Sequence, residues 1–135
     1  MARLLTGKPV ADALSADTRR RADALRRRGV QPKLVILRCG DDESDGAYIR
    51  GAAKRGALCG VAVEVRSLPG DVSAAALAAA IDGVNGDPAV HGCLLLRPLP
   101  AHLRRDEASL CARLSPDKDV DGMTPGSLAG LLTGR

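Results

Sequence analysis

Val90-His91-Gly92-Cys93-Leu94-Leu95-Leu96-Arg97-Pro98-Leu99-Pro100 is the stretch that decides the fold. From Val90 to Leu96 it is nearly all apolar, with no alternation of apolar and polar residues. A strand exposed on one face would alternate. A run this short and this apolar reads as a strand buried on both faces, as in a parallel sheet. Pro98 and Pro100 cannot donate to a ladder and end it. Upstream, Asn85-Gly86-Asp87-Pro88 closes a helix that carries Leu77, Ala80, Ile81 and Val84 at helical spacing. Asp71 or Ser73 caps the start of that helix.

The same alternation extends in both directions. Pro9 to Arg28 is a helix with Val10, Leu14, Ala22 and Leu25 on one stripe, stopped by Gly29. Lys33 to Leu37 is a buried strand, and Gly40 to Ser44 is a polar turn. A helix runs from about Asp45 to Cys59, with Gly51 and Gly56 each costing about 1 kcal/mol relative to Ala. Val61 to Val65 is a second strand, and Leu68 to Asp71 is a loop. Leu103 to Leu114 is a helix with Leu103, Leu110, Cys111 and Leu114 inward, and Pro125 to Leu132 is a last helix with Pro125 in its first turn. Strands alternating with helices predict an α/β fold in three layers, a mainly parallel sheet with helices on both faces. Ligands of such sheets bind at the carboxyl ends of the strands. That selects three loops: Gly40 to Tyr48, Leu68 to Asp71, and Leu96 to His102.

Composition narrows the function. The chain has 135 residues, no Trp, no Phe and one Tyr, so Ala, Leu and Val must fill the core of a single domain of modest stability. The one aromatic, Tyr48, is either half-buried packing or a ligand platform. The net charge is +4, and Arg19, Arg20, Arg21, Arg26, Arg27 and Arg28 cluster in the first helix. A solvated helix face explains them; an RNA-binding module would need stacking platforms that this chain lacks. Cys39, Cys59, Cys93 and Cys111 match no zinc spacing, and His91 and His102 complete no ligand set. Met1 to Lys8 has no long apolar segment, and no stretch approaches a membrane span, which predicts a soluble cytoplasmic protein. Thr6-Gly7-Lys8 lacks the earlier Gly of a phosphate loop, since Ala2 stands there. No G-x-G-x-x-G occurs. Asp117, Asp119 and Asp121 begin a calcium-loop pattern, but its twelfth position is Leu128 instead of Glu.

Three segments, taken together, point to a family. They are Gly40-Asp41-Asp42 leading to Tyr48-Ile49-Arg50, then Gly92 to Pro100, then Pro116-Asp117-Lys118-Asp119-Val120-Asp121-Gly122. With the opening Gly7-Lys8-Pro9-Val10-Ala11, their order and spacing resemble the N-terminal catalytic domain of bifunctional methylenetetrahydrofolate dehydrogenase/methenyltetrahydrofolate cyclohydrolase. The resemblance covers nearly the whole chain. It implies that residues 1–135 are the folate-binding domain of a longer enzyme of one-carbon metabolism, with reduced folate as substrate. It further implies NADP or NAD on a second, Rossmann-type domain outside this chain, no metal, no nucleic acid or membrane partner, and a homodimer.

The resemblance also assigns residues. Tyr48 matches the catalytic-site Tyr on which the folate ring stacks, and Asp121 the Asp that hydrogen-bonds the pterin edge. Pro98, Leu99 and Pro100 match the turn that shapes the folate cleft, next to Leu96. The chain departs from the family at two places. The family's catalytic Lys, four residues after the Tyr, is Ala52 here. The Gln that holds that Lys is Leu96 here, followed by Arg97. Lys54 lies about 240° around the helix from Tyr48 at 100° per residue, and matches a second family Lys. Lys and Gln form one hydrogen-bonded unit, and replacing both avoids stranding a buried polar group, at about 1–3 kcal/mol. The hydrolytic step loses a general acid–base group, an effect of about 10²–10⁴-fold. A phenol is a poor base near neutral pH. The resemblance therefore implies a domain with impaired cyclohydrolase activity, or a non-catalytic reduced-folate binder. A basic interaction module built on the Arg-rich helix is the reading from a different class.

Overall fold

The structure is a computed structural model that describes residues 6–134; Met1 to Leu5, within the segment read for a leader, lie outside the described residues. Three strands, β1 (Lys33–Cys39), β2 (Ala62–Leu68) and β3 (Gly92–Leu95), form one parallel sheet in the order β2-β1-β3. Lys33 pairs with Ala62 and Cys39 with Leu68 on one side of β1; Leu34 pairs with Gly92 and Leu37 with Leu95 on the other. Five helices surround the sheet: α1 (Lys8–Arg27), α2 (Glu43–Cys59), α3 (Ala74–Gly86), α4 (Glu107–Ala112) and α5 (Pro125–Thr133).

Side chains alternate across the sheet. Val35 and Leu37 of β1, with Cys93 and Leu95 of β3, meet Leu77, Ile81 and Val84 of α3 and Leu110, Cys111 and Leu114 at α4 in one core. On the opposite face Leu34 and Val63 lie under Ala52, Gly56 and Cys59 of α2 and Ala11 and Leu14 of α1. The three-layer α/β architecture expected from the sequence is therefore present.

The elements differ from the sequence reading in several respects. The all-apolar run shortens to Gly92–Leu95, because Val90 N–H turns back to Asp87 O while Leu96 N–H still donates to Leu37 O at 2.9 Å. Leu68 belongs to β2 and not to a loop. The helix expected over Leu103 to Leu114 splits into a single 3₁₀ turn at Ala101–Leu103 and the short α4, although all four expected apolar positions are buried. On α1, only Ala22 of the expected stripe is buried; Val10, Leu14 and Leu25 are exposed. That helix is held to α2 at a few points, including Arg55 Nη1 donating to Ser15 Oγ at 2.7 Å and Arg26 lying over Gly60. An apolar cavity of about 530 Å³ remains between α1, α2 and the sheet.

Two glycines of α2 have opposite reasons to exist. A Cβ on Gly56 would lie 2.4 Å from Val63 Cγ2 and 2.9 Å from Val61 O, so this residue lets α2 lie close on β2. A Cβ on Gly51 would meet nothing within 4 Å. Gly51→Ala is expected to stabilise the fold by about 1 kcal/mol through helix propensity. Gly56→Ala is expected to destabilise it by about 1–3 kcal/mol, since overpacking outweighs the same propensity gain. Thermal melts of the two variants check this; equal shifts of the same sign would refute the packing role of Gly56.

Candidate functional site

The carboxyl end of β1 feeds a turn that is fixed before α2 begins. Gly40 adopts φ +85°, and its N–H donates to Leu68 O at 2.9 Å, tying the loops after β1 and β2 together. Arg38 reaches Ser67 Oγ at 2.9 Å and pairs with Asp41. Asp42 caps α2, accepting from Ser44 N–H at 2.8 Å and from the Ser44 hydroxyl at 2.6 Å. Hydrogen bonds from Ser44 hold the Asp42 carboxyl below its usual range. The helix thus starts at Glu43, two residues earlier than the sequence reading, and Tyr48 sits near its second turn.

Tyr48 faces a cleft of about 350 Å³, bordered also by Ser44, Asp45, Leu96, Arg97 and Asp121. Tyr48 as a whole is 54% exposed, too much for a core packing role. The cleft lies where β1 and β3 end, as the strand-end rule requires. Three of the residues singled out in the sequence, Tyr48, Leu96 and Asp121, therefore meet in one place. Others do not. Leu99 is 2% exposed and packs in the core beside α3 and α4, not in the cleft. Pro98 and Pro100 flank it in the turn that leaves β3 and do not border the cavity. Ala52 borders the apolar cavity under α1, so the two positions that depart from the family pattern, 52 and 96, line different cavities. Lys54 is exposed and lines neither.

The Asp-rich segment divides its labour. Lys118 Nζ donates to Val84 O at 2.7 Å and Asp87 O at 2.6 Å, anchoring the segment on the C-terminal end of α3. Asn85 braces it from the same helix end, donating to Arg113 O at 2.8 Å and accepting from Ser115 N–H at 2.9 Å. Asp117 lines a groove along α5, Asp119 turns inward, and only Asp121 reaches the cleft. The three carboxylates do not converge on one point. Among the described residues no group of three His, Cys, Asp or Glu side chains could hold a metal. The histidines serve backbone: His102 Nε2 lies 2.8 Å from Val72 O, and His91 Nδ1 accepts from Lys33 N–H at 3.3 Å. Burial pushes the Cys93 thiol up to about 11, so it stays a neutral core group. No described helix is long and apolar enough to cross a membrane. Sequence reasoning missed the anchors Asn85 and Lys118. It also missed the pair Thr124 and Ser127, which the capping pattern Thr-Pro-x-Ser at the start of α5 signals.

Comparison with known proteins rests on this geometry. Residues 5–121 match the model of the tetrahydrofolate dehydrogenase/cyclohydrolase catalytic domain. The chain belongs to this family. It is 39% identical over 134 residues to the bifunctional protein FolD of Alkaliphilus oremlandii, covering 99% of this chain and 46% of that protein. It is 37% identical, with the same coverage, to FolD of Heliobacterium modesticaldum. Among solved structures, the bifunctional FolD of Campylobacter jejuni superposes with a TM-score of 0.88 at 27% identity, over 95% of this chain and 45% of that one. FolD of Trypanosoma brucei, solved with NADP cofactor and inhibitor, superposes with a TM-score of 0.86 at 29% identity, over 96% of this chain and 44% of that one. The chain thus spans about half the length of the FolD proteins that it matches.

Asp119 gives the site a pH dependence. Burial alone would raise its pKa, but hydrogen bonds, led by those from Thr124 N–H and the Ser127 hydroxyl, outweigh burial and hold it down at about 2, from 3.8. A carboxyl with a depressed folded-state pKa contributes stability above its unfolded value and loses it as pH falls through the folded one. Wild type is therefore expected to lose stability relative to Asp119→Asn between about pH 4 and pH 2, and to keep a constant difference above pH 5. Urea midpoints of both proteins across that range check this; a difference independent of pH would contradict it.

Proposed function

We propose that this chain is the reduced-folate-binding domain of a longer FolD-type enzyme, with its hydrolytic half-reaction impaired. The observation that carries the reading is the meeting of Tyr48 and Asp121 across one cleft at the strand ends of a FolD-like domain. A half-exposed ring offers a π face to a flat heteroaromatic system. A carboxylate opposite it accepts from the ring N–H and amino donors of a pterin, and its charge strengthens those bonds. Leu96 adds an apolar side chain to the lining of the same cleft.

The family reaction has two parts. A nicotinamide cofactor, when bound, supplies the acceptor for a hydride from methylenetetrahydrofolate. No segment of this chain has the glycine-rich turn that cradles a dinucleotide, so this chain's residues act on the folate alone. They hold the pterin between Tyr48 and Asp121 and exclude water from one face, which is orientation work. The hydrolytic part needs a group that moves a proton to and from the attacking water. The cleft offers two carboxylates, a phenol and a guanidinium. A guanidinium stays protonated and cannot act as a base. The family's Lys and Gln positions hold Ala52 and Leu96. This gap is also what favours the second reading, a reduced-folate binder with no turnover. The two readings differ only in whether a cofactor domain supplied in trans produces NAD(P)-dependent turnover.

Calorimetric titration with 5-formyltetrahydrofolate is expected to show binding that Tyr48→Ala weakens by at least about tenfold. A folded wild-type chain that binds no reduced folate would refute the assignment. Ala52→Lys combined with Leu96→Gln is expected to raise hydrolysis of methenyltetrahydrofolate by about 10²-fold or more. No gain from the pair would show that these two replacements are not what limits the site.

A further inference from the structure

Asp121 is exposed at the cleft, and no described residue hydrogen-bonds its carboxylate. Its direction is therefore set by the backbone that carries it. That backbone, Asp119 to Thr124, is closed on itself by one side chain. Asp119 Oδ2 accepts from Thr124 N–H at 2.8 Å and from the Ser127 hydroxyl at 2.7 Å. Thr124 is 1% exposed and caps α5: its Oγ1 accepts from Ser127 N–H at 3.1 Å, and its hydroxyl donates to Ser127 Oγ at 2.9 Å. The carboxylate is thus tied to the capped start of α5.

The other end of the segment is held by the sheet. Asp119 forms a parallel bridge with Cys93 of β3. Val120 occupies the space that Gly92 leaves open, since a Cβ on Gly92 would lie 2.6 Å from Val120 Cγ1. Between these fixed points the chain turns at Gly122, with φ +68°. Asp121 immediately precedes that turn and borders the same cleft as Tyr48.

We infer that Asp119 is a positioning residue, whose strap between β3 and the N-terminus of α5 aims Asp121 into the cleft before a ligand arrives. The inference rests on the reading of the cleft as a folate site. Without the strap the segment Val120 to Met123 samples several conformations, and a ligand must order it on binding, which lowers affinity. A purely structural Asp119 would behave differently. It would lower stability and leave the value of the Asp121 contact unchanged.

A double-mutant cycle separates the two, read by calorimetry with 5-formyltetrahydrofolate on the 135-residue chain. In the wild-type background Asp121→Asn is expected to weaken binding by about 30-fold, the scale of a charge-assisted hydrogen bond to a ligand. In an Asp119→Ala background the same change is expected to cost less than about threefold, because the carboxylate is no longer held in place. Equal factors in the two backgrounds, with Asp119→Ala lowering only the melting temperature, would overturn the inference and leave the folate site standing. If Asp121→Asn changes nothing in the wild type while Tyr48→Ala abolishes binding, Asp121 is not a ligand contact and the inference falls. If neither substitution matters because wild type binds no folate, the site reading itself fails. Should Asp119→Ala not fold, Ser127→Ala removes the hydroxyl that donates to the carboxylate at 2.7 Å. It is expected to give an Asp121→Asn factor between the two extremes, and a factor equal to that of wild type overturns the inference.

Discussion

The structure depends on β1 being buried on both faces and hydrogen-bonded on both edges. Val35, Ile36 and Leu37 are 0% exposed, and parallel partners flank them. A parallel pair cannot be joined by a tight turn, so each neighbour requires a crossover helix. That requirement places α2 between β1 and β2 and α3 between β2 and β3. It also brings the three carboxyl ends to the same side. The cleft is a consequence of this pairing: Tyr48 follows β1, Leu96 and Arg97 follow β3, and Asp121 returns along the edge of β3.

The site is built from small fixed pieces because the core has little bulk. With no Phe or Trp, close approach of backbone replaces large side chains. Gly56 lets α2 lie on β2, Gly92 admits Val120, and Gly126 admits Pro116, whose Cγ would lie 2.5 Å from an added Cβ. Polar side chains then fasten the loops to helix ends. Lys118 takes the end of α3, Asn85 reaches from α3 to Arg113 O at the end of α4, and Asp119 takes Thr124 N–H at the start of α5. Each such contact satisfies backbone groups that helix termini leave open. The Asp-rich segment, which in sequence looks like a metal loop, is in the fold a clasp closed by Asp119, with Asp117 and Asp121 exposed on either side of it.

Departure from the family pattern is confined to particular positions of this scaffold. Tyr48 and Asp121 border one cleft, each on a segment fixed by its own hydrogen bonds. Positions 52 and 96, where the family resemblance leads one to expect a Lys and a Gln, hold Ala52 and Leu96. The two departures sit in different parts of the scaffold: Leu96 borders the cleft, and Ala52 borders the apolar cavity under α1.

The sequence by itself determined the alternation of strands and helices, the parallel sheet and the three strand-end loops. These follow from local signals: apolar runs, helical periodicity, and Gly and Pro at the boundaries. Tyr48 and Asp121 were legible through their motifs. Tertiary structure alone decided which motif residues face the cleft. Leu99 and Pro98 are neighbours in one short turn, yet Leu99 goes to the core and Pro98 to the surface. Asp117, Asp119 and Asp121 look alike in sequence and face three different surroundings. The exposed stripe of α1 and the split of the expected Leu103 to Leu114 helix were likewise invisible, because periodicity reports which side chains share a face but not what covers that face. The physical reason is common to all of these. Local pattern fixes secondary structure, whereas the direction of a loop side chain depends on contacts between residues distant in sequence, such as Asp119 with Cys93.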